Sequence, residues 1–283
     1  LDVFLYSIII SILLVIGLAL IIGQSLCAHA KSALPTPPDH LPITNISIPR
    51  RRGGHLHAWW LPGQPDKPII LHLHGNRNTR EQMLQRAELF HQHGYGGLLP
   101  DFQAHGESDG KHVSYGFFES EDARDWIRYI RTQYPHHKLG VIGLSLGGAA
   151  CLVGPEPLEI EAIVLEMVYP TLHEAVDNRA RMHFGAVGSL LTPLLTLQLK
   201  PILGFSIHDL RPIDGIQNLT IPKLIIAGSD DQHTTLAQSK RLFEAAAEPK
   251  TFWLIDGAKH EDLQAFTPQH YETRVLAFFE EWL

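Results

Sequence analysis

Gly143-Leu144-Ser145-Leu146-Gly147-Gly148 is the stretch on which the reading of this chain turns. It follows the apolar run 139–142 and leads into the small residues Ala149-Ala150-Cys151-Leu152. That pattern is a strand, a tight turn and a helix, with a serine at the apex. The glycines two positions to either side remove Cβ atoms that would collide in so sharp a turn. The turn lifts the Ser145 hydroxyl above the sheet edge, within reach of a substrate carbonyl. A serine among small residues also describes an ordinary strand-to-helix turn, so G-x-S-x-G takes its meaning from its context.

The alternation of elements supplies part of that context. Residues 43–48 and 55–61 read as a hairpin across the turn 50–54. Strands follow at 69–74, 95–99, 139–142, 162–168, 221–227 and 251–255. Helices are expected at 79–93, 117–134 and 267–282. In the second, Ala123, Trp126, Ile127, Ile130 and Tyr134 form one apolar stripe. Strands alternating with helices predict an α/β fold with an eight-stranded, mostly parallel sheet flanked by helices. Residues 171–210 interrupt the alternation with an apolar, helical stretch broken by Pro193 and Pro201. This stretch is expected to form a small helical cap, either an ordinary buried helical pair or a lid lining an acyl pocket.

The 283 residues are 45% hydrophobic and 19% charged, a composition that builds a packed core. Lys plus Arg number 23 against 30 Asp plus Glu, giving −7 and no general nucleic-acid footprint. The one basic run, Arg50-Arg51-Arg52, is expected in a solvated turn between edge strands. Two cysteines in unlike settings, Cys27 and Cys151, suggest neither a disulfide nor a metal framework.

Residues 3–23 are uncharged and long enough to cross a bilayer as a helix, longer than the ~7–15-residue core of a signal peptide. Residues 1–30 are therefore expected to be a membrane anchor, with cleavage of a signal after Ala28-His29-Ala30 as the alternative. A lipoprotein reading of Cys27 fails on the bulk of Leu26. Residues 31–42 form a Pro-rich linker, and 43–283 one folded domain, about the size of a large α/β unit.

A serine hydroxyl needs a base, and the base an orienting acid. At an elbow of this kind the three follow in the order serine, acid, histidine. Gly228-Ser229-Asp230-Asp231 follows one late strand and Asp256-Gly257-Ala258-Lys259-His260 the next, both at carboxyl ends, where open α/β sheets build their sites. His260 is the expected base and Asp231 the preferred acid, with Asp230 and Glu166 as alternatives. An oxyanion needs preorganised donors. The backbone N–H of Leu146 supplies one, and that of Asn76, in His74-Gly75-Asn76, is expected to supply the other. His55-x-His57 and His72-x-His74 each put two imidazoles on one strand face, but no further ligand follows at a useful spacing, so no metal site is expected.

With these residues in hand, the chain resembles the α/β-hydrolase superfamily, in its BEM46-like and serine-aminopeptidase-like serine hydrolase branches. The supporting segments are Leu73-His-Gly-Asn76, Asp101-Phe-Gln-Ala-His-Gly-Glu-Ser108, Gly143-Leu-Ser-Leu-Gly147, Gly228-Ser-Asp-Asp231 and Gly257-Ala-Lys-His260. One departure stands out: Gln103-Ala104 replaces the Arg-Gly pair usual in the loop after the fourth strand. The resemblance implies hydrolysis of an ester, thioester or amide through an acyl-enzyme on Ser145, without a cofactor. The apolar cap and adjacent anchor point toward small-molecule or lipid esters. An amide hydrolase and a non-catalytic binding protein on the same fold are the competing readings.

Overall fold

The computed structural model describes residues 2–155 and 157–283, so Leu1 of the N-terminal segment lies outside it. Eight strands make one sheet: β1 (Thr44–Pro49), β2 (His55–Leu61), β3 (Ile69–Leu73), β4 (Gly96–Pro100), β5 (Leu139–Leu144), β6 (Ala162–Glu166), β7 (Lys223–Gly228) and β8 (Lys250–Ile255). Their order is β1-β2-β4-β3-β5-β6-β7-β8. The β1–β2 and β2–β4 pairs are antiparallel, and every other pair is parallel. Every residue of β3, β4, β5, β6 and β7 is buried, as expected of strands covered on both faces. In β5, Leu139 and Val141 enter one apolar core and Ile142 and Leu144 the other, the two-residue alternation of a pleated strand.

The helices are α1 (Asp2–Cys27), α2 (Leu84–Gln92), α3 (Glu119–Gln133), α4 (Leu146–Leu152), α5 (Leu172–Phe184), α6 (Gly188–Thr196), α7 (Leu199–Leu203), α8 (Pro212–Ile216), α9 (Leu236–Ala245), α10 (Leu263–Phe266) and α11 (Pro268–Trp282). Apolar residues of α3, α4, α8 and α9 fill the first core, and those of α2 and α11 fill the second. The expected helix over 79–93 instead opens as a 3₁₀ turn, Arg80–Met83, before α2. There the Arg80 backbone N–H is donated to Asp101 Oδ1 at 2.8 Å.

The Arg50–52 run does lie in the β1–β2 turn, but it is not simply solvated. Arg51 pairs with Asp125 and Arg52 with Glu121, both at 2.9 Å, so two of its charges meet the acidic face of α3. The Gln103-Ala104 departure is also accommodated. Gln103 is buried and its amide donates to Glu119 at 3.1 Å. Ala104 takes φ +60°, the left-handed region that a glycine would occupy more cheaply.

Residues 172–210, inserted between β6 and β7, carry α5, α6 and α7. Their ends are drawn together where the Leu172 N–H meets the Leu210 carbonyl at 3.0 Å. Phe205 stacks on Phe117 at 4.1 Å between centroids, fixing the base of the insertion to the domain.

Strand order reverses around β3, which lies between β4 and β5. Ligand crevices in open α/β sheets form outside the strand ends at such a reversal. The turn after β5 is close-packed there. A Cβ on Gly143 would lie 2.6 Å from Gly148 Cα, and one on Gly147 would lie 2.3 Å from the Leu73 carbonyl oxygen. Both obstacles are backbone and cannot swing aside. Gly143→Ala is therefore expected to destabilise the fold by about 1–3 kcal/mol. Urea unfolding checks this, and an unchanged midpoint would refute the packing argument.

Candidate active site

Ser145 occupies the turn between β5 and α4 at φ 50°, ψ −104°, outside the comfortable regions for a residue with a Cβ. Its N–H is donated to the Glu166 carbonyl at 2.8 Å, which ties the turn to the end of β6. Such strain persists only where the surroundings over-determine it, and it concentrates at functional sites.

Two loops bring the other groups to this point. The loop after β7 is tied to the loop after β8 where the Asp230 N–H meets the Ala258 carbonyl at 2.9 Å. That bond sets Asp231 beside His260. His260 Nδ1 lies 2.7 Å from Asp231 Oδ2, and its Nε2 lies 3.2 Å from Ser145 Oγ. An ionised carboxylate only accepts, so His260 carries its proton on Nδ1 and leaves Nε2 free to accept from the hydroxyl. The second oxygen, Asp231 Oδ1, accepts the His233 and Thr234 backbone N–H groups at 2.7 and 2.9 Å. Asp231 is thus buried and held from both sides.

The alternative acids sit elsewhere. Asp230 is exposed and accepts from the Ser229 hydroxyl at 3.0 Å. Glu166 is fully buried with its carboxylate on Arg86, at 2.8 and 3.1 Å, and receives the Tyr271 hydroxyl at 2.5 Å. Burial opposes the Arg86 charge, yet Glu166 holds the guanidinium well above its ordinary value; burial together with Glu166 raises Tyr271. Asp262 adds a further contact to Arg86 at 3.0 Å.

Asn76 and Leu146 both border the cavity that Ser145 faces. The neighbouring Gly75 N–H goes to Gln82 Oε1 at 2.8 Å, and the Arg77 N–H to His105 Nε2 at 3.2 Å. Among the described residues the N–H groups of Asn76 and Leu146 have no protein partner. Leu146 opens α4, so its N–H is one of the donors that a helix start leaves unsatisfied.

Of the paired histidines, His72 and His74 are fully buried. His74 Nδ1 donates to the Gly75 carbonyl at 2.7 Å, and its Nε2 accepts from the Phe102 N–H at 3.1 Å. Burial and the nearby Arg86 charge push His72 down to about 3, so its ring stays neutral. Among the described residues no group of three or more His, Cys, Asp or Glu gathers at metal-binding distance.

The sequence reading missed His233 and Arg179. The His233 ring stacks on His260 at 4.8 Å between centroids. Arg179 of α5 donates from Nε to His233 Nδ1 at 3.1 Å. Burial and Arg179 push His233 down to about 4, so it stays neutral and adds no positive charge beside His260. The position of His233, two residues after Asp231, was a usable signal. Arg179 was not findable, since its approach depends on the fold of the insertion.

Two cavities meet at Ser145 and His260. One, of about 380 Å³, is walled by apolar residues including Leu172, Val176, Phe184, Ile22 and Leu26. The other, of about 230 Å³, is more polar, bordered by Asn78, Gln82, Arg179 and Glu261 along with Leu144 and Met167. The hydroxyl thus sits between an apolar and a polar compartment.

A family model described as "alpha/beta hydrolase fold" matches residues 68–189. The uncharacterized protein YqkD of Bacillus subtilis (strain 168) is 24% identical over 251 residues, 86% of this chain and 81% of that protein. The lysophosphatidylserine lipase ABHD12 of Danio rerio is 27% identical over 200 residues, 66% of this chain and 50% of its own. The esterase Pf2001 of Pyrococcus furiosus superposes with a TM-score of 0.72 at 21% identity, covering 89% of this chain and 98% of that one. At such identity a structural likeness is one of fold.

The burial of Glu166 generates a prediction. Glu166→Gln leaves Arg86 with a buried charge that Asp262, about a third exposed, only partly meets. Stability should fall by about 3–5 kcal/mol. Any ester turnover by the variant should keep the pH dependence of the wild type, since the Glu166 carboxylate contacts Arg86 and Tyr271 and not His260. Calorimetry and a pH–rate profile check both halves, and an unchanged melting temperature would overturn the first.

Proposed function

We propose that this chain is a serine hydrolase of the α/β-hydrolase superfamily that cleaves carboxylic esters, acyl or lipid esters among them, through an acyl-enzyme intermediate. The observation that carries the reading is the run of two hydrogen-bond contacts, at 3.2 and 2.7 Å, from Ser145 through His260 to Asp231. Ser145 attacks the carbonyl while His260 Nε2 takes its proton. Asp231 keeps His260 in the right tautomer and stabilises the imidazolium that forms. The N–H groups of Asn76 and Leu146 receive the oxyanion. His260 then returns the proton to the departing alcohol, and the same relay activates water to release the acid. Water is the only reactant this scheme needs besides the ester and these protein groups.

Two features support an acyl or lipid ester. The apolar cavity has room for an aliphatic chain, and the polar one suits the alcohol half of an amphiphile. One relative is named for lipase activity on a lysophospholipid. α1 is the membrane anchor in this reading: its Phe4–Cys27 stretch is apolar, spans 24 residues and has only 6% of its most apolar window buried. The alternative is export after cleavage behind Ala30.

Nitrophenyl butyrate, octanoate and laurate, assayed with wild type and Ser145→Ala, test the proposal. Turnover should fall by roughly 10⁴-fold or more in the variant. A fluorophosphonate probe should label wild type and not the variant. Intact wild-type protein that neither turns over esters nor reacts with the probe would leave the non-catalytic reading standing. Activity on acyl amides alone would shift the assignment to amide hydrolysis.

A further inference from the structure

α1 is two structures in one helix. Residues 4–16 are exposed without exception. From there a buried stripe begins at every fourth residue, Ala19, Gly23 and Cys27, which is one face of a helix. This half packs on α6 and α7. Gln198, at the start of α7, donates from its side chain to the Ala19 carbonyl at 2.9 Å.

The C-terminal end of the helix is tied to the catalytic domain as well. The last carbonyls of a helix lack internal donors. Here Tyr115 Oη donates to the Leu26 carbonyl at 2.9 Å, and the Val113 N–H to that of Cys27 at 3.0 Å. The Arg77 guanidinium reaches the Ser25 and Ala28 carbonyls, each at 3.4 Å. Beyond the helix, the Ala30 N–H meets the Ala104 carbonyl at 2.7 Å. Arg77 directly follows Asn76, so the end of α1 braces the loop that carries the second N–H of the site. On the side facing the domain, Ile22 and Leu26 border the apolar cavity that Ser145 and His260 also border.

Resting on the serine hydrolase reading above, we propose that the second half of α1 is a working part of the active site: Ile22 and Leu26 form a wall of the acyl cavity and set its chain-length selectivity, and the acyl chain lies along α1. A segment that is cut off after Ala30 could not do this. Its loss would open the cavity on one side, leave Gln198 and Tyr115 without these acceptors, and unseat the brace on Arg77. The bare half of α1, with the exposed Leu190 and Leu197 at the packed cap, then presents one apolar surface to lipid, so that a chain enters the cavity beside the helix.

The test uses the full chain in detergent micelles and reads the ratio of kcat/KM for nitrophenyl laurate over butyrate. Ile22→Trp and Leu26→Trp obstruct the cavity and should lower the ratio about ten-fold or more; Ile22→Ala and Leu26→Ala remove contacts and should lower it about three-fold. Leu14→Trp, on the bare half, adds the same bulk to the helix and should leave the ratio unchanged. Should a tryptophan variant fail to fold, as thermal melting would reveal, the alanine pair still decides. A ratio unmoved at both positions, with serine-dependent turnover intact, overturns the proposal and leaves the hydrolase reading in place. Absence of serine-dependent turnover in wild type removes the hydrolase reading first. The intact mass of protein extracted from membranes should include the residues before Lys31; a chain starting at Lys31 overturns the proposal independently.

Discussion

The turn at Ser145 is the constraint around which the site is built. A serine held at φ 50°, ψ −104° would relax if its neighbours allowed it. They do not. The Ser145 N–H is fixed to the Glu166 carbonyl, and Gly143 and Gly147 are pressed against Gly148 and Leu73 with no room for a Cβ. The strain is therefore supported by β3 and β6, the two neighbours of β5, and the backbone fixes the direction of the Ser145 Cβ from which the hydroxyl reaches His260. The same geometry frees the Leu146 N–H, because a helix that starts abruptly after a strand leaves its first donors unmatched.

Beneath this turn lies a fully buried ion pair, Arg86 with Glu166. Glu166 presents its carbonyl to Ser145 and turns its carboxylate the other way, onto Arg86 and Tyr271. Buried ion pairs of this kind are weak evidence for net stability, since desolvation offsets much of their attraction. Their effect here is directional. With Glu166 committed to Arg86, the carboxylate facing His260 is Asp231, whose other oxygen is taken by the His233 and Thr234 N–H groups. Two carboxylates near one histidine would compete for it, and the fold separates them by giving each its own donors.

Much of this was legible in the sequence, for a reason that is physical. Strands buried on both faces read as apolar runs, and turns that end them at the active edge need glycine, serine or aspartate, so Gly143–Gly148 and Gly228–Asp231 announce themselves locally. What was not legible is what long-range packing decides. Glu166 remained a possible acid because the residue that claims it, Arg86, is 80 positions away in the chain. The pairing of Arg51 and Arg52 with α3 depends on a helix about 70 residues downstream, and in isolation a basic run reads as solvated. Arg179 reaches His233 from an insertion whose internal path no periodicity specifies. An apolar helix near the start of a chain satisfies the rules for an anchor and for a signal alike, and neither rule contains the packing of Ala19, Gly23 and Cys27.

The site is also divided in a way that bears on its chemistry. His260 works between a neutral, stacked His233 and the Asp231 carboxylate. Burial and Arg179 keep His233 unprotonated, and Arg179 donates into its Nδ1, so the positive charge near the imidazole is fixed on the guanidinium, one ring away. In the proposed mechanism, protonation of His260 during attack would add one charge beside Asp231 without crowding a second imidazolium against it. Arg179 borders both cavities, which places the fixed charge at the boundary between apolar and polar compartments. An ester lying across that boundary would keep its aliphatic part away from the guanidinium and bring its polar part toward it. The cost of desolvating a charge in the apolar cavity would oppose the reverse orientation. Under the proposed ester hydrolysis, the site would therefore select an orientation as well as a bond, with the carbonyl at Ser145 and the leaving alcohol on the side where water and charge are tolerated.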